Sequence, residues 1–136
     1  MKHLFICILS CLFLSCGQNT DKAQTPDSLA KELAESFLTA YLHLDFDEAL
    51  PLCGQALQAD LELSAQRVRS LSPDMQEILK EDLQAYSCKI DNLNFNSSKD
   101  SVFVDYTIIT PEAPDGFPGS LTVAKEEQEW KVVKLL

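Results

Sequence analysis

Apolar residues recur every three or four positions from Leu29 to Tyr86 and every second position from Cys88 to Leu135. The first spacing is that of amphipathic helices and the second that of half-buried strands. One change of period near residue 87 therefore divides the chain into a helical half and a strand half. Helices followed by consecutive strands give an α+β domain, with N-terminal helices packed on one face of a four-stranded antiparallel sheet.

Local signals place the elements. Thr25-Pro26-Asp27 supplies an N-cap, a proline at the first helical position and an acid in the first turn. Leu29, Leu33, Phe37, Ala40, Tyr41 and Leu44 then form one apolar stripe. Asp45 caps a short second helix, and a third runs from Gln55 to about Leu71. Ser72-Pro73-Asp74 repeats the cap signal, and Met75, Ile78, Leu79, Leu83 and Tyr86 are expected to be the buried stripe of a fourth helix. Strands are expected over residues 88–95, with room for a bulge, and over 101–110, 121–124 and 130–135. Pro111 to Pro118 reads as a long connection, with Phe117 folding back over the open end of the core; the alternative is a stiff, partner-binding edge with Phe117 near its tip.

The N-terminus gives an address. Lys2 precedes an apolar run from Leu4 to Leu14, about half of the ~20 residues that a spanning helix needs. Phe13-Leu14-Ser15-Cys16-Gly17 resembles a bacterial lipobox, departing from its commonest form at Phe13, where leucine is usual. The resemblance implies a signal peptide over residues 1–15, lipidation of Cys16, a flexible tether over 16–26 and a single domain over 27–136. The alternatives are a plain signal peptide or a buried cysteine. Several acyl chains on Cys16 would hold the domain durably at a membrane surface, since each buried CH₂ contributes ~0.8 kcal/mol. The expected location is the bacterial cell envelope, at the outer membrane rather than the inner, with no transmembrane helix in the mature protein.

Charge narrows the partners. With 21 acidic and 11 basic residues the chain carries a net charge of −10, and loss of Lys2 with the leader makes it more acidic. Nucleic acid is an unsuitable partner, because phosphate binding needs clustered Lys and Arg. Adsorption to anionic lipid by charge is disfavoured for the same reason, which leaves the N-terminal lipid as the membrane contact. Of the five cysteines, Cys7 and Cys11 lie in the leader and Cys16 is the lipid site. Cys53 and Cys88 remain, either as a disulfide in an oxidising compartment or as two separately buried thiols.

Two stretches resemble a known superfamily. "AESFLTAYLHLDFDEALPLC" is similar to the first helices of the nuclear transport factor 2-like proteins, and "SLTVAKEEQEWKVVKLL" to their closing hairpin. The resemblance extends to small bacterial lipoproteins carrying a domain of this kind. It implies a cone, a curved antiparallel sheet wrapped over helices, often enclosing a cavity and often dimeric through the sheet. Superfamily members include isomerases, hydrolases, transport adaptors and domains without known activity, and their enzymes generally use an Asp pointing into the cone.

The residues offer little catalytic chemistry. His43 has no histidine or cysteine at zinc spacing, Leu50 and Ala56 exclude a calcium loop in "DFDEALPLCGQA", and no phosphate-binding glycine loop is present. On the second strand Val102, Val104, Tyr106 and Ile108 share the more apolar face, which should meet the helices. Asp105 then faces outward; the reverse register would make it a buried acid. Tyr41, Val104, Tyr106 and Ile108 are the candidate pocket lining. His43 reads as a helix cap and Trp130 as a residue of the core or the sheet end. The resulting expectation has no catalytic residue, cofactor or metal: a lipid-anchored domain binding a small apolar ligand or an envelope protein. The alternative is an isomerase- or hydrolase-type enzyme using an acid in the cone.

Overall fold

A computed structural model describes residues 24–136. The leader, Cys16 and most of the tether lie outside the described residues. Four α-helices come first: α1 (Pro26–Leu42), α2 (Phe46–Ala49), α3 (Gln55–Arg69) and α4 (Pro73–Leu83), with a 3-10 turn at Leu50–Leu52. Strands β1 (Ser87–Phe95), β2 (Ser101–Thr110), β3 (Ala113–Glu126) and β4 (Glu129–Leu135) follow. They form one antiparallel sheet in the order β1-β2-β3-β4. The domain is α+β, as the change of period requires.

The caps are where the sequence places them. Thr25, Asp45 and Ser72 each accept a hydrogen bond from the backbone N–H three residues on, starting α1, α2 and α4. Helix α3 is capped differently. Its N-cap is Gly54, which has no side chain to offer, and Gln55 N donates instead to Glu126 Oε2 at 3.2 Å. A Cβ on Gly54 would lie 2.5 Å from Glu126 Oε1, so the glycine admits the distant carboxylate. That carboxylate satisfies a free N–H and complements the positive end of α3.

Helix α1 crosses the sheet and buries Ala30, Ala34, Phe37 and Leu38 against Val102 and Val104 of β2, Leu121 and Val123 of β3 and Val132 of β4. Small residues at 30 and 34 let the helix approach the sheet closely, and Phe37 fills the centre. Helix α3 adds Leu57, Leu61 and Ala65 beside β4. Register confirms the inner face of β2: Val102, Val104 and Tyr106 are buried and Ile108 is half-buried. The outward face is mixed, with an exposed Phe103 beside paired polar groups. Asp105 accepts from Ser120 Oγ at 3.1 Å, and Thr107 Oγ1 donates to Asp91 Oδ2 at 2.6 Å. That hydroxyl is the chief reason the Asp91 carboxyl is held below its usual range.

Three expectations need correction. The connection shrinks to a turn at Pro111 and Glu112, because β3 begins at Ala113 and pairs with β2 from Thr110↔Ala113 onward. Strand β4 reaches only as far as Leu121 on β3, so residues 113–119 form a sheet edge, where prolines are tolerated. Phe117 consequently stands opposite Ile108 and is 56% exposed instead of closing the core. The stripe of α4 is not buried: Met75 and Ile78 are 48% and 51% exposed, and no residue of α4 is fully covered. Helices α1 and α3 already occupy the sheet, which leaves α4 outside them.

Other features match. Strand β1 is bulged between Ile90 and Asn92. Trp130 packs edge-on to Phe95, 6.4 Å between centroids, near the sheet end, with Lys125 Nζ 5.3 Å from its ring centroid. Among the described residues no helix is long and apolar enough to cross a membrane.

Candidate functional site

The site begins where α1 stops. His43 caps the helix, Leu44 N donates to Tyr41 O and Asp45 N donates to Ala40 O, the bonding pattern of a Schellman motif. The residue turning the chain is Leu44 at φ 58°, a left-handed conformation usually given to glycine. Leucine tolerates it here because its side chain packs against the core beside Tyr41 and Val68. His43 Nε2 lies 3.0 Å from Tyr86 O. A carbonyl can only accept, so Nε2 carries the proton. This bond ties the end of α1 to the segment entering β1.

Between these ends, α3 and the outlying α4 lies an apolar groove of about 380 Å³. Leu44, Phe46 and Val68 form its floor, with Tyr41, Leu83 and Tyr86 as walls and Arg67 at its lip. The same floor residues continue into a polar recess of about 440 Å³ containing His43, Asp45, Asp47, Arg69 and Lys80. Gln76 Nε2 donates to Leu71 O at 2.9 Å, so α4 is held to the end of α3 by a polar contact at the edge of this recess.

The candidate pocket lining is split by the fold. Tyr41 borders the groove, stacked on Phe37 at 5.7 Å. Val104 and Tyr106 are core residues, with Ile108 at the core's edge, and none of the three borders the groove. Tyr106 lies over Gly119, and burial, with Tyr41 and Cys88 nearby, pushes its phenol above the ordinary value. It therefore holds its proton and is unsuited to act as a base at neutral pH. Sequence reasoning missed Arg67, Phe46 and Val68 as groove residues. Only the packing of α3 against α2 brings them together.

The cysteine pair is also resolved. Both thiols are free. Cys53 bridges to Val132 on β4, whereas Cys88 on β1 stands opposite Ile108. Following the register, Val132 faces Val123 and Val123 faces Val102, six residues along β2 from Ile108. That is roughly 20 Å along the strand, besides the width of the sheet. A disulfide needs Cα atoms within about 7 Å, so the bridge considered from the sequence is excluded by this geometry.

The Cys53 thiol is buried and donates to Ala49 O at 3.4 Å. Burial pushes it up to about 11, with Lys131 opposing. Burial also raises Cys88, against a hydrogen bond with Thr39. Native alkylation at pH 8 is therefore expected to be slow at both, whereas the urea-unfolded chain reacts readily, as intact mass will report. The unfolded thiol releases its proton near 9, and the folded one keeps it to about 11. Stability is thus unaffected below 9 and falls as pH rises toward 11. This decline should be smaller in Cys53→Ala, measured by urea midpoints.

Asp105 stands on the outer face, away from the helices, and His43 serves as cap and tether. Among the described residues no three His, Cys, Asp or Glu side chains converge to hold a metal. Fold and groove together define an α+β domain with an apolar cleft on its helical side. No protein-family model and no curated protein matches the chain. Among solved structures, a crystal structure from Campylobacter jejuni described as a "Putative NTF2-like transpeptidase" has 11% sequence identity and a TM-score of 0.48, covering 76% of this chain and 96% of that one. The likeness is one of overall shape and brings no activity to this chain.

Proposed function

We propose that the protein is a lipid-anchored component of a bacterial envelope whose nuclear transport factor 2-like domain binds an apolar ligand or an apolar segment of another envelope protein, without catalysing a reaction. The observation that carries this reading is the groove floored by Leu44, Phe46 and Val68. Its size lies within the range of small-ligand sites, and its lining is apolar with one charge at the lip. The enzyme alternative needs an acid inside the cone. Asp105, the acid considered for that role, is turned outward and paired with Ser120.

The anchor is tested directly. Cys16→Ala should abolish metabolic labelling by a fatty-acid analogue and move the protein from the detergent phase to the aqueous phase on Triton X-114 partition, in a host that processes lipoproteins. Unchanged labelling and partition would refute the lipid anchor. The binding reading is tested by Val68→Asp, which places a charge in the groove floor. It should eliminate copurification of any apolar ligand or partner held by the native protein.

A further inference from the structure

We propose that the apolar groove takes a single-chain anionic amphiphile, its hydrocarbon on Leu44, Phe46 and Val68 and its anionic head on the Arg67 guanidinium. This rests on the groove being a binding site, and adds the chemistry of what binds.

The chain has 21 acidic residues against 11 basic ones, and its two arginines, Arg67 and Arg69, both fall in the last turn of α3. Arg69 has a partner, Asp47, at 3.2 Å. Arg67 has no ion pair or side-chain hydrogen bond among the described residues, and no acid lines the groove beside it. The helix dipole accounts for a base at this helix end, yet a lysine would satisfy it equally. It does not account for an unpaired guanidinium at the mouth of an apolar groove. Arginine binds carboxylates and phosphates through two parallel N–H donors, which a lysine cannot do.

The polar recess on the other side of the floor is a poorer anion site. There Asp45 and Asp47 offset Arg69 and Lys80. A ligand with a cationic head would meet Arg67 as a like charge, and an uncharged chain would leave it unused. The outlying position of α4, with no fully buried residue, lets this wall yield as the chain enters.

The test uses the intact chain in lipid nanodiscs and two diazirine-bearing probes of equal length, a dodecanoate and a dodecanol. The carboxylate should label the peptides around Tyr41–Phe46 and Ser64–Val68 at least tenfold more strongly than the alcohol. Arg67→Gln should remove that preference, and Arg67→Lys should restore part of it. Because Arg67 is exposed, its thermal unfolding should match the native protein. Equal labelling by both probes, unaffected by Arg67→Gln, would overturn the anion assignment and leave the groove as a binding site. Failure of both probes to label the groove would overturn both readings. Protection of the groove by a copurifying protein segment would also overturn the amphiphile proposal, in favour of a protein partner.

Discussion

Phe37→Ala is expected to destabilise the domain by about 3–5 kcal/mol, the range for a phenylalanine truncated in a closed core. Phe37 is fully buried, between Ala34 and Leu38 on α1 and the valines of the sheet, and its ring stacks on Tyr41. Alanine removes the ring and leaves a space that the sheet and the helix can close only in part. The loss is a large part of the ~5–15 kcal/mol that holds a typical domain together. Urea unfolding followed by far-UV circular dichroism measures it. A shift worth less than ~1 kcal/mol would show that Phe37 is not at the centre of the core. The change should also loosen the groove, since Tyr41 loses its stacking partner.

Gly119→Ala is expected to cost about 1–3 kcal/mol, the usual penalty for overpacking. A Cβ there would lie 2.5 Å from Tyr106 Cζ and 2.7 Å from its hydroxyl oxygen. Tyr106 and Gly119 are directly paired across β2 and β3, and the tyrosine is buried, so the ring can yield only by disturbing its packing. The ring thus covers the glycine, and the glycine exists to receive it. A second substitution makes the claim specific: in a Tyr106→Leu background, where the distal ring atoms are gone, Gly119→Ala should be nearly neutral. A double-mutant cycle reads this coupling. Additive effects would mean that the clash is not the cause.

The legibility of the chain follows the range of the forces involved. Caps at Thr25, Asp45 and Ser72 are contacts between residues three apart, and each stands where the sequence puts it. Alternation along β2 assigns Val104 inward and Asp105 outward, because a one-residue slip would bury the acid and expose the valines. The cap of α3 is hidden, since Glu126 is 71 positions from Gln55 and nothing local announces it. The connection at 111–118 misleads for a related reason. Prolines and Gly116 signal a loop, but this part of β3 extends beyond β4, and an edge tolerates residues that an interior strand does not.

The site divides in the same way. Tyr41 is recognisable from its place on the stripe of α1, and it borders the groove. Val104 and Tyr106 share the correct face but are consumed by the core, since an inward face can be packed or hollow with the same alternation.

Periodicity and capping, acting over three or four residues, determined the helices and every strand except the first half of β3, which face of β2 is inner and where three of the helices start. The tertiary structure alone decided that α4 stays outside the core, because an amphipathic stripe states that a face is apolar without stating whether a surface remains for it to cover. It also decided that Cys53 and Cys88 stand far apart and that Arg67 meets an apolar groove. Those placements depend on strand register and helix packing, which join residues that have no relation along the chain.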